Sequence, residues 1–111
     1  MERFVKGDVV VVPFPFSDLT QTKKRPALVI ARLEGDDLIL CQITSRDITD
    51  SYAISIADRD FKAGGLKQES NVRANRIFTA DGRIILYRAG TLFPSKLDEV
   101  IEKVVGIIRG K

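Results

Sequence analysis

The chain has 111 residues, of which 44% are hydrophobic and 30% charged, as is typical of a soluble globular protein, and we expect one domain over residues 1–111. Its 18 Lys and Arg outnumber its 15 Asp and Glu, and the net charge of +3 favours an anionic partner without identifying it. There is no His and only one Cys, which excludes a zinc, iron–sulfur or haem site within one chain and any nucleophile that relies on a histidine base.

The first two predicted strands cover residues 9–12 and 27–31. The unbroken run of β-branched residues in the first indicates burial on both of its faces. Pro13 and Pro15 are expected to end it, because a proline cannot donate a ladder hydrogen bond, and Pro26 precedes the second strand. The predicted connection is therefore a loop of about a dozen mostly polar residues, far longer than a hairpin needs.

Further strands are predicted over residues 38–43, 52–56, 71–79 and 84–93, with a helical turn at 58–62. The pair Asp81-Gly82 fits either a tight hairpin turn or the start of a short helical turn. Cys41 lies within the third strand, where we expect it to be a small buried hydrophobe.

The last segment is the one predicted helix. Its apolar residues follow the spacing of one buried stripe: Leu97, Val100, Ile101, Val104, Val105 and Ile108. Ser95 is the expected N-cap, and Gly110 the expected end. Five or six short strands and one terminal helix predict a mainly β fold, a compact and partly open antiparallel barrel closed on one side by the helix.

Residues 1–6 lack the apolar core of a signal peptide, and no apolar run approaches the roughly 18 residues of a membrane span. We therefore expect a cytoplasmic protein with no membrane partner.

Three cations, Lys23, Lys24 and Arg25, close the predicted loop against Pro26. A guanidinium at the root of a rigid strand is a better phosphate clamp than one at a loop tip, because its fork is held in one orientation. This favours Arg25 as a phosphate ligand and leaves the two lysines to electrostatic steering. A solvated basic turn explains the same residues equally well.

A second candidate stands at the end of the third strand, where Thr44, Ser45 and Arg46 follow one another. If the second and third strands are neighbours, Thr44 lies near Arg25, and a hydroxyl and a guanidinium can hold one phosphate. The alternative is that the hydroxyls satisfy local backbone groups in an ST-turn.

Aromatic and basic residues elsewhere add to a nucleic-acid interpretation. Phe14 and Phe16 flank Pro15, and rings beside cations suit stacking on bases, although core packing is the better interpretation of Phe14. Arg73 shares one face of the fifth predicted strand with Asn75.

Several blocks of sequence stand in an order that resembles a known family. They are 7–14 (GDVVVVPF), 24–30 (KRPALVI) and 43–45 (ITS), followed by shorter blocks at 65–66, 70–72, 77–79 and 90–92 and by the final helix. They resemble the signature blocks of the MazF/PemK family, the toxins of type II toxin–antitoxin pairs, over nearly the whole chain.

The resemblance implies an SH3-like barrel of the CcdB/PemK type, a homodimer, and an mRNA interferase that cuts single-stranded RNA at short sequences without a metal or other cofactor. It also implies a cognate acidic antitoxin, with promoter DNA bound only through the antitoxin complex. The catalytic roles fall on Arg25 and Thr44, and the loop becomes a mobile lid over the RNA groove. The residues expected to bind substrate are Phe16, Ser17, Thr20, Lys23, Lys24, Ser45, Arg46 and Arg73.

The chemistry expected is attack of the RNA's own 2′-hydroxyl on the adjacent phosphorus, which gives a 2′,3′-cyclic phosphate and a 5′-hydroxyl. Arg25 is a poor base, because a guanidinium stays protonated near neutrality. Some family members carry a Glu where this chain has Thr20, so the base is left to a carboxylate, or positioning supplies most of the rate. The nearby carboxylates are Asp18, Asp47 and Glu69. A CcdB-like toxin that binds DNA gyrase without catalysis and an inactive RNA-binding barrel are the alternatives.

Overall fold

The computed structural model describes residues 3–15 and 22–110, which form a half-barrel of seven antiparallel strands and one C-terminal helix. The strands are β1 (Asp8–Pro15), β2 (Thr22–Arg32), β3 (Asp37–Thr44), β4 (Ala53–Ile56), β5 (Phe61–Gly64), β6 (Ser70–Asp81) and β7 (Tyr87–Leu92), and the helix is α1 (Pro94–Arg109). Their order in the sheet is β4-β6-β3-β2-β1-β7-β5. The predicted mainly β fold with a terminal helix is confirmed, whereas β5 lies in a region where no strand was predicted.

Both faces of the central strands are buried. One apolar cluster, the helix-side cluster, joins the sheet to α1 and contains Val9, Leu28, Cys41, Ile43, Ile54, Ile56, Phe61, Val72, Ala74, Leu92, Leu97, Val100 and Val104. The opposite face carries the Phe4 cluster, which consists of Phe4, Val10, Val12, Ala27, Val29, Leu38 and Leu40. Successive residues of a strand point to opposite faces, so an unbroken apolar run is what two buried faces require. The expected burial of the first strand on both faces is confirmed.

The prediction that Pro13 and Pro15 end the first strand is wrong. β1 continues through them, with Pro13 paired to Lys24 on β2. The N–H of Leu86 donates to the carbonyl of Val11 at 2.9 Å, so the backbone groups of alternate residues in this part of β1 face β7. β7 stops pairing opposite Val11, and both prolines therefore face an unpaired edge where a missing N–H costs no ladder bond. The connection between β1 and β2 is residues 16–21, which lie outside the described residues.

α1 begins at Pro94 rather than after a Ser95 cap, and that part of the prediction is wrong. Proline suits the first helical position, because its missing N–H has no partner there and its φ is already helical. The predicted end is confirmed, since Gly110 takes the left-handed conformation at φ 76°. No helix in residues 3–15 and 22–110 is long and apolar enough to cross a membrane.

Two short 3-10 turns interrupt the strands, over Asp58–Asp60 and Gly82–Ile84. The first confirms the predicted helical turn, and the second decides the open choice at Asp81 in favour of a helical turn. The carboxylate of Asp81 accepts the N–H of Arg83 at 2.8 Å. The guanidinium of Arg83 donates to the same carboxylate and lowers the pKa of Asp81 to about 2.

A buried carboxylate fastens the N-terminal segment to the sheet. Asp8, only 2% exposed, accepts the N–H of Val5 at 2.9 Å and the hydroxyl of Thr91 at 3.0 Å. Arg88 places its Nε 3.1 Å from the same carboxylate and its guanidinium 5.2 Å from the ring of Phe4. A buried charge is tolerated when it is both paired and hydrogen-bonded, and this arrangement joins β1, β7 and the segment before them.

β5 and β7 approach each other so closely that only glycine fits between them. A Cβ built on the buried Gly90 lies 2.7 Å from the carbonyl oxygen of Ala63 and 2.8 Å from the backbone nitrogen of Gly65. These neighbours are backbone atoms, which cannot turn aside as a side chain does.

We therefore expect Gly90→Ala to lower the free energy of unfolding by about 3 kcal/mol, toward the upper end of the usual cost of overpacking. Gly35 is the matched control, because its φ is +73° but a Cβ there meets nothing within 4 Å, so Gly35→Ala should cost only about 1 kcal/mol of backbone strain. Urea denaturation measures both changes. Equal losses at the two positions would contradict the close approach of β5 and β7.

Candidate functional site

β2 and β3 are neighbours in the sheet, and the nearness of Thr44 to Arg25 depends on that relation. The last registered pair of their antiparallel ladder joins Ala27 to Gln42. Two residues farther along the same register stand Arg25 and Thr44, and each is half-buried. Opposite residues project from the same face with Cβ atoms roughly 5 Å apart. Continuing the register thus brings both side chains to one face and one end of the strand pair.

Arg25 is part of the β1–β2 ladder and does not end a loop, so that expectation is wrong. It pairs with Val12 of the Phe4 cluster and lies on the same face as Ala27, at the rim of that cluster. A residue within a ladder has its backbone fixed by the neighbouring strand. Arg25 is therefore held more rigidly than a loop residue would be.

The two lysines beside Arg25 differ in direction. Lys23 pairs with Phe14 and shares the face of Arg25, whereas Lys24 pairs with Pro13 and points from the opposite face. Both are exposed. Of the two lysines, Lys23 is the one that adds its charge to the face that carries Arg25 and Thr44.

Thr44 forms the ST-turn that its sequence context allowed. Its Oγ1 accepts the backbone N–H of Arg46 at 3.2 Å. A hydroxyl has one proton to donate besides its lone pairs, so this bond does not consume the donor. The local backbone role and a role as hydrogen-bond donor to a ligand are compatible in one side chain.

Asn71 is a residue of this site that the sequence analysis missed. It stands opposite Thr44 on β6, and its Nδ2 donates to the carbonyl of Arg46 at 3.1 Å. The register between β3 and β6 shifts here: Ile43 pairs with Val72, but Cys41 pairs with Ile77. The alternation of apolar and polar residues along a strand does not reveal a register shift of this size. Nothing in the sequence therefore indicated that Asn71 lies opposite Thr44.

Arg73 lies on the same face of β6, two residues after Asn71, and pairs with a carboxylate. Its Nη2 is 3.4 Å from Asp50, whose other oxygen accepts the backbone N–H groups of Tyr52 and Ala53 at 2.9 and 3.2 Å. The Nε of Arg73 is buried and has no hydrogen-bond partner among the described residues. Because this ion pair is long and the Arg73 side chain is still 20% exposed, the guanidinium can donate to a further anionic oxygen.

The structure describes some of the remaining residues that were predicted to bind substrate, but not all of them. Ser45 and Arg46 are exposed in the bend that follows β3. Phe16, Ser17 and Thr20 lie outside the described residues. Phe14 is half-buried with its ring centroid 5.1 Å from that of Phe78, an edge-to-face contact that confirms core packing for Phe14.

Positive charge prevails where these elements meet. The cations that the strands and the following bend bring to this end of the sheet are Lys23, Lys24, Arg25, Arg46 and Arg73. The described carboxylates at this end are Asp47 and Asp50 in the bend and Glu69 directly before β6, and Asp50 is partly neutralised by Arg73. An excess of fixed cations over carboxylates attracts a polyanion and raises its association rate.

The described residues offer neither a metal-binding cluster nor a reactive thiol. Within residues 3–15 and 22–110, no three Asp, Glu or Cys side chains are grouped so that they could hold a metal ion. Cys41 is fully buried as expected, and desolvation raises the pKa of its thiol to about 12.

Comparison with known proteins places these features in a family context. The family model of the PemK-like, MazF-like toxin of type II toxin–antitoxin systems matches residues 5–108. The comparison with curated proteins returned no match.

Among solved structures, MazF from Deinococcus radiodurans is 21% identical, with a TM-score of 0.77 and 100% coverage of both chains. A MazE–MazF structure from the same organism is 22% identical, with a TM-score of 0.77 and coverage of 99% of this chain and 98% of that one. An endoribonuclease in complex with its cognate antitoxin from a mycobacterial species is 13% identical, with a TM-score of 0.73 and 96% coverage of both chains. Likeness at these identities establishes the fold.

We expect the thiol of Cys41 to be inert toward Ellman's reagent in the folded protein at neutral pH, because a thiolate is needed for reaction and burial disfavours it. The same thiol should react fully and rapidly in about 6 M guanidinium chloride, which lies above the roughly 5 M midpoint that marks a hyperstable domain. Rapid modification without unfolding would contradict the burial of Cys41.

Proposed function

This chain belongs to the PemK-like, MazF-like toxin family of type II toxin–antitoxin systems, and from that premise we propose that it is a metal-independent endoribonuclease that cleaves single-stranded mRNA at short specific sequences. The observation that carries the proposal is the β2–β3 register, which pairs residues as far as Ala27 and Gln42 and, continued by two residues, brings Arg25 and Thr44 to one face and one end of the strand pair. A guanidinium and a hydroxyl in this arrangement suit one phosphate between them.

The proposed reaction begins with the 2′-hydroxyl of the nucleotide before the scissile bond. Its oxygen attacks the adjacent phosphorus, the bond to the 5′-oxygen of the next nucleotide breaks, and the proton lost by the 2′-hydroxyl is balanced by one gained by the leaving oxygen. The products are a 2′,3′-cyclic phosphate and a 5′-hydroxyl. Because the nucleophile belongs to the RNA, the protein has to align the groups and stabilise charge.

Arg25 has the main electrostatic role in this proposal. Its fork donates to the non-bridging oxygens, where negative charge develops, and to the leaving 5′-oxygen. The fixed backbone of Arg25 in the β1–β2 ladder and its position at the rim of the Phe4 cluster support this role, because a donor that is already oriented costs no reorganisation during the reaction.

Thr44 donates a hydrogen bond to the same phosphate. One lone pair of its oxygen accepts the N–H of Arg46, and its proton stays available to the substrate. Two donors of different chemistry, one charged and one neutral, thereby fix the orientation of the phosphate between β2 and β3.

The rest of the substrate groove is proposed to follow the cations of this face. Arg73, whose ion pair with Asp50 is long and whose side chain is partly exposed, is suited to a neighbouring phosphate. Lys23 shares the face of Arg25, whereas Lys24 acts at longer range. The other residues proposed to contact RNA are Phe16, Ser17, Thr20, Ser45 and Arg46.

We further propose a homodimer and a cognate antitoxin, in a cytoplasmic protein that contacts promoter DNA only through the antitoxin complex. Family membership supports both a second copy of this chain and an antitoxin as partners. The physical basis for the antitoxin is that an acidic, disordered segment which folds on binding competes with RNA for the same cations. RNA should then displace the antitoxin, and the affinity for the antitoxin should fall as salt is raised.

Incubation of the protein with single-stranded RNA in EDTA, followed by mapping of the new ends, tests the proposed reaction. We expect cyclic phosphate and 5′-hydroxyl ends, and we expect Arg25→Ala to lower kcat by at least about 100-fold, as for loss of a donor to a developing oxyanion. The matched control is Arg83→Ala. It removes an equal charge from a residue that pairs with Asp81 outside the site, and it should leave kcat unchanged.

Cleavage that requires magnesium, or cleavage undiminished in Arg25→Ala, would contradict this function. Inhibition of gyrase supercoiling by the protein while RNA stays intact would instead support the non-catalytic CcdB-like alternative.

We expect Arg73→Ala to weaken binding to an RNA whose 2′-hydroxyls are all methylated and which therefore cannot be cleaved. If Arg73 contacts a phosphate, the slope of log affinity against log salt should become shallower by about 1. Titration by fluorescence anisotropy over a range of salt concentrations measures the slope, again with Arg83→Ala as the control of equal charge. An unchanged slope would assign Arg73 to the ion pair with Asp50 alone.

A further inference from the structure

Thr44 is one member of a row of residues that crosses the sheet. On β6 it faces Asn71, and Asn71 faces Ser55 on β4. Directly opposed residues project from one face, so Asn71 stands beside the Thr44 hydroxyl on the face that also carries Arg25.

The backbone of Arg46 is hydrogen-bonded to two residues of this row, one on each side of its Cα. Its N–H donates to the Oγ1 of Thr44 at 3.2 Å, and its carbonyl accepts from the Nδ2 of Asn71 at 3.1 Å. A carbonyl oxygen can only accept, so the amide of Asn71 must present its nitrogen here and its orientation is determined by the bond.

The turn after β3 has little else to hold it in this part of the structure. Ser45, Arg46 and Asp47 are all exposed, so apolar packing does not fix them. The next side-chain tie is the ion pair of Asp50 with Arg73, four residues after Arg46 and 3.4 Å long. Asn71 is the side chain that reaches from the body of the sheet to the turn itself.

We propose that Asn71 is a positioning residue for Thr44, an inference that rests on the proposed ribonuclease function. By holding the carbonyl of Arg46, Asn71 restrains the backbone of the residue whose N–H bonds to the oxygen of Thr44. With that lone pair engaged in a fixed direction, the hydroxyl proton of Thr44 is directed toward the phosphate instead of rotating freely. Asn71 itself need not touch the RNA.

Steady-state cleavage of RNA by Asn71→Ala tests the proposal. We expect kcat to fall about tenfold, the effect of one net hydrogen bond, while KM changes by less than about twofold because the cations that bind the RNA remain. Asn71→Asp keeps the size of the side chain but loses the donor, and it should lose at least as much. A matched control is Thr91→Val, which removes a hydrogen bond to Asp8 in another part of the sheet and should reduce stability while kcat stays the same.

A double-mutant cycle with Thr44→Val separates positioning from the alternatives. If Asn71 acts through the Thr44 hydroxyl, adding Asn71→Ala to Thr44→Val should change kcat by less than about twofold. A further tenfold loss in the double variant would overturn the proposal, and so would a rise in KM with unchanged kcat in Asn71→Ala, which would mean that Asn71 contacts the RNA directly.

The outcome at Arg25 distinguishes failure of this proposal from failure of the function. If Arg25→Ala abolishes cleavage and Asn71→Ala leaves kcat unchanged, the ribonuclease function stands and the positioning role is wrong. If the unaltered protein does not cleave RNA in EDTA at all, the proposed function is wrong, and the positioning role falls with it.

Discussion

The register between β2 and β3 is the constraint on which the site depends. Both faces of these strands are buried, so a slip of one residue would move the side chains of each apolar cluster to the opposite face. Leu28 and Cys41 belong to the helix-side cluster, and their direct neighbours Ala27 and Leu40 belong to the Phe4 cluster. Core packing on both sides therefore fixes the register as far as the pair Ala27–Gln42, from which the strands continue to Arg25 and Thr44.

The polar site continues the strands that build the core. Arg25 lies on the same face of β2 as Ala27, two residues away, and Thr44 lies on the same face of β3 as Leu40, four residues away. Ala27 and Leu40 both belong to the Phe4 cluster. A donor carried by such a strand has its backbone set before any ligand arrives, which is the condition for electrostatic stabilisation without reorganisation. Asn71, which is also carried by a strand of the sheet, holds the turn after β3 in place through its hydrogen bond to the carbonyl of Arg46.

The sequence predicts those features that local residue types determine. The β-branched run of β1 and the apolar stripe of α1 were sufficient to locate these elements, and Arg25 and Thr44 were identified from their positions at strand ends and from the family resemblance. Features that depend on the neighbouring strand were missed: Pro13 is tolerated because β7 does not reach it, and Asn71 meets Thr44 across an irregular register. β5 is only four residues long and owes its place to pairing with β7.

The most direct test of the central claim is a structure of the protein with an RNA that carries a 2′-O-methyl group at the nucleotide before the cleaved bond. Such an RNA binds but lacks the nucleophile. We expect the Arg25 guanidinium and the Thr44 hydroxyl both to lie within about 3 Å of oxygens of the same phosphate, the usual hydrogen-bond distance. A scissile phosphate that touches neither residue, or that only one of them reaches, would contradict that claim.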